Sequence, residues 1–240
     1  MNHRNVRGKI LYMAEREGQH LERGREWFSM TVHDDGQRTV RSHCEIELGL
    51  VADRTVIRDV TYTVDRNFKP LDGFVRLHSS GKYLGSGWFR VTDELAECEN
   101  HNVRDGRVSQ RLELDNPIPS LGAHALTCDI LHLGRFDHGR GESIQPVRGA
   151  MLTSLEHDGC SGPLLAPVDF DIEYVGPETI QVPAGSIETD HYRFLLEGTL
   201  PQEHPTEDLW CIPEEFIFVK ISVGGYMNAT FELAELEYEY

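Results

Sequence analysis

Several polar side chains stand on strand faces that are otherwise apolar, and Arg58 is the clearest of them. In TVIRDVTYTV (55–64), it alternates with Val56, Val60 and Tyr62 on one side of a predicted strand. A guanidinium removed from water there needs an acceptor, either a carboxylate of the protein or an oxyanion of a ligand. Arg58 is therefore a candidate for stabilising negative charge in a reaction, with a buried ion pair as the structural alternative.

A histidine and an arginine lie two positions apart in VPAGSIETDHYRFLL (182–196). His191 and Arg193 share one face of this predicted strand, and Tyr192 and Phe194 share the other. A His–Arg pair that faces a cavity can move a proton and stabilise an oxyanion, so both residues are catalytic candidates. In the other register, Tyr192 and Phe194 face inward and contribute only shape. The sequence leaves both registers open.

The segment GAHALTCDILHL (122–133) carries His124, Cys128 and His132 at intervals of four residues. These residues share a face in a strand and lie on neighbouring turns in a helix. Histidine and cysteine at this spacing can bind zinc, but no HExxH motif or second cluster supports a metal site. We predict no metal and favour an acid/base role at a cavity for His124 or His132, with His124 as the catalytic candidate. Asp129 is placed to orient an imidazole.

Five further side chains are expected to contact a ligand, four through an aromatic ring and one through a cation: Tyr62, Trp88, Arg90, Tyr192 and Trp210. Trp88 and Arg90 share one face of GSGWFRV (85–91), and the glycines on the other face allow close backbone approach. Large aromatic side chains are more often part of a core than of a binding site, which is the structural alternative for Trp88.

Motifs for nucleotides and covalent nucleophiles are missing from the sequence. It contains no P-loop, no GxGxxG that opens a helix after a strand, and no GxSxG nucleophile elbow. Ser161 in GCSGP (159–163) has the surroundings of a turn residue. We therefore predict that any enzymatic activity needs no cofactor and no covalent intermediate.

The charge and the cysteines limit the classes of partner. The 240 residues include 23 Lys and Arg against 40 Asp and Glu, a net charge of −17. Such a charge disfavours nucleic acids and anionic membrane surfaces, so we expect neither as a partner. The five cysteines are widely spaced without a CxxC motif, which is typical of free thiols in a reducing compartment. Without a long apolar run or a signal peptide, the expected location is cytoplasmic.

Alternation of apolar and polar residues, interrupted by glycine turns, dominates the chain. Turn sequences such as DDG (34–36) and RDG (104–106) separate about a dozen predicted strands. This pattern predicts an all-β fold: a single antiparallel β-barrel or strongly curved sheet system with a ligand-sized cavity. One or two short helices are expected, at 9–23 and at 120–133. A single domain is expected over residues 1–240, with residues 1–24 as an N-terminal extension.

The C-terminal part of the chain resembles a known group of proteins. The matching positions are a VPAG turn, a tryptophan, a lysine and a Glu-Leu pair: Val182, Pro183, Ala184, Gly185, Trp210, Lys220, Glu232 and Leu233. In this order they resemble uncharacterised bacterial lipocalin-like β-barrel domains. The resemblance implies an antiparallel barrel with an internal cavity. It implies no catalytic residues, because the group has no established activity.

These residues lead to one main hypothesis about function. We expect a cofactor-independent acid/base enzyme of the lyase, isomerase or hydratase type, acting on a small hydrophobic molecule inside the barrel. The substrate is expected to be aromatic or polycyclic. Arg58 and Arg193 would stabilise an oxyanion, and His124 or His191 would move the proton.

Two alternatives stay open. The first is a carrier that binds the same kind of ligand without changing it, which is favoured if Arg58, His124 and His191 do not converge on one cavity. The second is an interaction protein without a ligand. Residues 216–223 carry apolar side chains on both faces, so a covering element or a second subunit is needed, and a homodimer is expected.

Overall fold

The computed structural model describes residues 3–16, 18–47, 55–156, 158–196, 200, 204–225 and 228–239. Fifteen strands in these residues form one sheet: β1 (Arg4–Arg16), β2 (Gln19–Val32), β3 (Arg38–Glu47), β4 (Thr55–Val64), β5 (Pro70–Ser79), β6 (Lys82–Val91), β7 (Leu95–Asn102), β8 (Gly106–Glu113), β9 (Leu121–Gly122), β10 (Ile144–Leu152), β11 (Ala166–Val182), β12 (Gly185–Leu195), β13 (Glu207–Ile212), β14 (Ile217–Val223) and β15 (Ala229–Glu239). The helical elements are α1 (Leu126–Asp129) and two 3₁₀ helices (Ile130–Arg135 and His138–Arg140). None of the helices in these ranges is long and apolar enough to cross a membrane.

The strand order is β8-β7-β6-β5-β4-β3-β2-β1-β15-β14-β13-β12-β11-β10-β9. All neighbours are antiparallel except β9 and β10, which are parallel. The edge strands β8 and β9 do not pair with each other among the described residues. Near one edge, the Gln110 side chain donates to the carbonyl of Leu165 at 3.0 Å and accepts from its N–H at 2.8 Å. The all-β antiparallel fold is confirmed, whereas a sheet closed into a barrel by hydrogen bonds is not observed.

β4 shows why these residues form strands. Every second side chain of the strand is buried, from Val56 through Arg58, Val60 and Tyr62 to Val64, as its alternation predicts. Full burial of one such apolar side chain contributes about 1.5–3 kcal/mol to folding. The same alternation puts Arg58 on the buried face, so the core carries a charge that must be accommodated.

The prediction of a helix over residues 9–23 is wrong. Residues 4–16 form β1 and residues 19–32 form β2, and β1 lies between β15 and β2 in the middle of the sheet, where the sequence suggested an N-terminal extension. Residues 1, 2 and 17 lie outside the described residues. The helix-forming alanine, glutamate and arginine residues of this segment favoured a helix, but pairing with two neighbouring strands outweighs propensity.

The two apolar faces of β14 follow from a β-bulge. Trp210 of β13 pairs with Lys220, but Cys211 pairs with Phe218, so Val219 is the extra residue. Phe218 lies before the bulge and Ile221 lies after it, and both are buried. Their side chains have relative exposures of 1% and 2%. A bulge changes which positions face inward. The pattern is thus explained within one chain, and the homodimer that it suggested stays a prediction.

Residues 121–135 form a buried segment that lies against the inner face of the sheet. It comprises β9, α1 and the first 3₁₀ helix, and α1 contacts both β3 and β14. The helix expected over 120–133 is present only from Leu126, and Ser120 does not cap it. The residue before α1, Ala125, supplies no side-chain hydrogen bond, so the cap comes from elsewhere in the chain.

Glu26 of β2 caps α1. Its fully buried carboxylate accepts the backbone N–H groups of Leu126 and Thr127 at 2.9 and 3.2 Å. The hydroxyl groups of Tyr12 and Ser42 donate to it at 2.7 Å, and that of Thr127 donates as well. A buried carboxylate is tolerated when its acceptor sites are filled. Five donors fill those of Glu26 and tie the buried segment to the sheet.

Glu26→Ala removes this acceptor and leaves five buried donors without a partner. We expect the free energy of unfolding to fall by about 3 kcal/mol or more, because unsatisfied buried polar groups are costly. Urea denaturation followed by circular dichroism measures the change. Glu45→Ala, on the exposed face of β3, is the matched control and should change the value by less than about 0.5 kcal/mol. Equal losses in the two variants would contradict the anchoring role of Glu26.

Candidate functional site

A cavity of about 180 Å³ lies between the buried segment and the two halves of the sheet. Strands β1 to β4 and β10 to β15 contribute side chains to its wall, and 12 of the 22 lining residues are apolar. The polar lining residues are Tyr12, Arg23, Arg58, His124, Asp129, His132, Glu156, Asp158, His204 and Glu207. Apolar walls with a few convergent polar groups are the usual form of a small-molecule site.

Arg58 reaches from β4 to two loops beside the cavity and is 2% exposed. Its Nη1 donates to the carbonyl of His124 and its Nη2 donates to that of Asp158. Gly159 follows with φ at +69°, and a Cβ at this position would collide with the guanidinium. Within the described ranges, Nε has no hydrogen-bond partner and no carboxylate forms a salt bridge with Arg58. Its hydrogen-bond acceptors are thus backbone carbonyls, and no carboxylate of the described residues lies at salt-bridge distance.

His124 has a left-handed backbone, with φ at 56°. Its Nε2–H donates to the carbonyl of Ser154 at 2.9 Å, and its backbone N–H donates to Oδ1 of Asp129 at 3.1 Å. Residues with side chains adopt this conformation at a cost of about 1–3 kcal/mol and do so mostly at functional sites. Here the turn brings the ring of His124 to the cavity wall and its carbonyl to Arg58.

Of the four carboxyl residues that line the cavity, two have a strongly raised pKa: Asp129 of α1 and Glu207 of β13. Burial raises the pKa of each to about 7. The neighbouring Glu207 raises the pKa of Asp129 further, and Arg58 and the N–H of His124 partly offset this. Carboxyl groups that titrate near neutral pH can both give and take protons. The charge of Glu207 therefore influences the titration of Asp129.

Two histidines border the same space. Burial lowers the pKa of His132 to about 4, so its ring is neutral near pH 7, and its Nδ1 has no partner among the described residues. His204 donates from Nδ1 to the carbonyl of Pro205 at 2.8 Å, which leaves Nε2 at 3.4 Å from Oε1 of Glu207. Burial also lowers the pKa of His204. In neutral His204 with Nδ1 protonated, Nε2 is therefore an acceptor site near the carboxyl group of Glu207.

Arg23 faces the cavity because of a second β-bulge. The pairing of β2 with β1 passes from Gly24 to Glu22 and skips Arg23. Its guanidinium carbon lies 5.3 Å from the ring centroid of Phe231, and its buried Nε has no partner among the described residues. Burial lowers the pKa of this arginine. Simple alternation places residue 23 on the outer face, so the sequence pattern did not identify it.

The structure brings together two of the four predicted catalytic residues. Arg58 and His124 line the cavity, whereas His191 and Arg193 lie on the opposite face of the sheet. There, Oδ1 of Asp208 is 2.7 Å from Nε2 of His191 and accepts from Nε of Arg193 at 2.8 Å. The turn at Pro183 and Ala184 and a bulge in β11 set this register. Both outer side chains are engaged by carboxylates within the sheet.

None of the five predicted ligand contacts lines the cavity. Tyr62 is buried in the core and hydrogen-bonds to the backbone of Leu121. Tyr192 is also buried, and its hydroxyl group hydrogen-bonds to His138. Trp88 and Arg90 are on the outer face of β6, where Trp88 is 41% exposed. Trp210 stacks on the ring of His191 with centroids 4.3 Å apart. Tyr62 and Tyr192 are thus packing residues, whereas Trp88, for which a place in the core was the structural alternative, is exposed.

The spacing of His124, Cys128 and His132 does not produce a shared ligand set. The two histidines line the cavity, but Cys128 is fully buried and does not. In the part of the chain that the structure describes, no three His, Cys, Asp or Glu residues are placed to hold a metal ion.

Comparison with known proteins supports the architecture. No protein-family model and no curated protein matches the chain. Among solved structures it is similar to a β-barrel-like protein of the domain of unknown function DUF1849 from Brucella abortus, with a TM-score of 0.62 over 98% of both chains and 9% identity. The chain has a β-barrel-like fold. The lipocalin-like affinity suggested by the VPAG turn is not confirmed.

A second solved structure is less similar. A DUF1089 family protein from Pseudomonas aeruginosa aligns with 83% of this chain and 89% of its own, at a TM-score of 0.47 and 13% identity. Since the first of the two structures supports the fold alone, at 9% identity, the description of the site rests on the geometry of this chain.

Asp129→Asn tests the titration of the cavity carboxyls. The folded-state pKa of Asp129 is raised to about 7 from 3.8, so its stabilising contribution is present at low pH and is lost as pH rises through 7. We expect wild-type protein to lose about 1–2 kcal/mol more unfolding free energy than Asp129→Asn between pH 5 and pH 8. Urea denaturation at both pH values measures this difference. Asp105→Asn, at an exposed turn, should behave as wild type, and an unchanged pH dependence in Asp129→Asn would refute the raised pKa.

Proposed function

We propose that the protein is an acid/base enzyme that acts without a cofactor on a small, mainly apolar molecule in the cavity. The observation that supports this best is the convergence of Arg58, Asp129 and Glu207 on one space with apolar walls. Groups that exchange protons near pH 7 and a cation that stabilises an oxyanion are the parts that such catalysis needs. The reaction class is proton transfer at carbon beside a developing oxyanion, as in lyases, isomerases and hydratases.

The carboxyl pair divides the roles of base and acid. In the singly protonated pair, the carboxylate removes a proton from the substrate and the protonated partner returns one. His204 can exchange the proton with Glu207 across their 3.4 Å separation. Arg58 stabilises the negative charge that develops on the substrate. His124 acts through position, because its carbonyl holds Arg58 and its N–H holds Asp129.

The volume of the cavity limits the substrate. About 180 Å³ is slightly more than the engineered apolar cavity of about 150 Å³ that accepts benzene. One ring with a small substituent, or a branched chain of similar size, matches this volume. We therefore narrow the expected substrate from aromatic or polycyclic molecules to those with a single ring or its equivalent.

A carrier is the second candidate. More than half of the lining residues are apolar, and a cavity of this kind binds a hydrophobic ligand even without chemistry. The two candidates differ in whether the carboxyl groups transfer protons to the bound molecule, which the experiment below measures.

We place the activity in the cytoplasm. Cys44, Cys98, Cys128 and Cys211 are buried thiols without disulfide partners, a state that a reducing compartment maintains.

Benzisoxazole is a suitable probe for the proposed base. Removal of the proton on the ring carbon next to nitrogen breaks the N–O bond and gives ortho-cyanophenolate, which absorbs in the near ultraviolet. We expect wild-type protein to open the ring at least about 100-fold faster than acetate at equal concentration, the usual gain from a positioned base. The rate should rise with pH through about 7, as Asp129 and Glu207 ionise.

The variants identify the groups responsible. Asp129→Asn should lower the rate about tenfold or more, whereas Glu99→Gln, on the exposed face of β7, should leave it unchanged. Val223→Phe, which fills the cavity, should abolish binding of the probe. A probe that binds in wild-type protein but reacts no faster than with acetate would leave the carrier as the function. A probe that does not bind would count against both candidates for neutral ligands of this size.

A further inference from the structure

Three cavity residues have buried polar atoms without a hydrogen-bond partner. They are Nε of Arg23, Nε of Arg58 and Nδ1 of His132, three of seven such atoms among the described residues. An unsatisfied buried donor costs about 1–3 kcal/mol, and proteins seldom keep one without a reason. Two of these three atoms are guanidinium N–H groups, which donate and never accept. The missing partner of both arginines is therefore an acceptor.

The two arginines also have no counter-ion. Within the described ranges, no carboxylate oxygen lies within the 4.0 Å of a salt bridge to either guanidinium. Arg58 donates to two backbone carbonyls, and Arg23 lies over the ring of Phe231. Both side chains contribute to the wall of the cavity, Arg23 from β2 and Arg58 from β4. Arg58 is buried and Arg23 is half-buried. Guanidinium groups in such surroundings are normally paired with an anion in direct contact, and neither has one among the described residues.

We infer that the ligand of the cavity is a small carboxylic acid, bound as its carboxylate by Arg23 and Arg58. Its apolar body has the size of a single ring and packs against apolar wall residues such as Phe170 and Phe194. This inference rests on the small-molecule function proposed above and adds the chemical class of the ligand. Planar guanidinium groups suit carboxylates because their N–H groups are arranged as a fork.

A cationic ligand fits the same charges less well. An amine placed beside Asp129 and Glu207 would leave both arginines unpaired and add a third positive charge to the cavity. Oδ1 of Asp129 is moreover already engaged by the backbone N–H groups of Ala123 and His124, at 3.0 and 3.1 Å. A carboxylate pairs with the arginines and leaves this arrangement intact.

Three probes of nearly equal size test the charge of the ligand: benzoate, benzyl alcohol and benzylamine. Isothermal titration calorimetry at pH 7 measures the affinity of each, and it needs no turnover. We expect benzoate to bind at least about tenfold more tightly than benzyl alcohol, and benzylamine most weakly, because a buried charge-assisted hydrogen bond contributes about 1.5–3 kcal/mol.

Arg23→Met is the decisive variant, because methionine keeps the apolar stem without the charge. Changing Arg58 would also release the carbonyls of His124 and Asp158, so it is a poorer test. Arg23→Met should lower the affinity for benzoate about tenfold and that for benzyl alcohol less than about twofold. Arg25→Met, near the ring of Trp27, is the matched control and should retain the wild-type preference.

The remaining outcomes contradict either the carboxylate assignment or the small-molecule function. If benzyl alcohol binds as tightly as benzoate, or if Arg23→Met keeps the benzoate preference, the carboxylate assignment fails while the cavity remains a binding site. If benzylamine binds best, the ligand is a cation and the assignment is overturned. If none of the three binds to wild-type protein, the small-molecule function itself fails.

Discussion

The buried carboxylate of Glu26 is the interaction on which the candidate site depends. Most contacts in the protein join strands that are neighbours in sequence, but Glu26 joins β2 to a segment a hundred residues further along the chain. By accepting the first N–H groups of α1, it fixes both the start of the helix and its orientation. The positions of Asp129 and His132 follow within the next two turns. A shift of this segment would separate the cavity groups from Arg58 and Glu207.

Much of the fold could be read from local pattern, because alternation and turns are local properties. β3 and β4 bury the residues that period-two alternation assigns to the core. The same criterion, a polar residue on an apolar face, identified Arg58. Applied further it would also have found Glu26, which alternates with Phe28 and Met30, and Glu207, which alternates with Leu209 and Cys211. Both residues therefore carry a local signal in the sequence.

Other features depend on contacts that no local pattern encodes. The bulge at Arg23 reverses the face of one residue and is set by the pairing of β1 with β2. The direction of His191 and Arg193 depends on the register of β12, which shifts where Tyr174 and Gly176 face the neighbouring strand. The helix predicted over 9–23 failed for a related reason, since β1 is held by partners from both ends of the chain. In each case a long-range pairing decides between local options that are nearly equal.

The joint between β1 and β15 has a consequence for how the protein folds. It pairs residues more than 200 positions apart, such as Asn5 with Glu239, while each half of the sheet is built mainly from adjacent hairpins. Contacts of such sequence separation close large loops and slow folding. During synthesis, β1 leaves the ribosome long before β15, so one side of β1 has no partner strand until β15 has been made. In that interval it is an exposed edge in the centre of the future sheet, the stretch where chaperones or misassembly would act first.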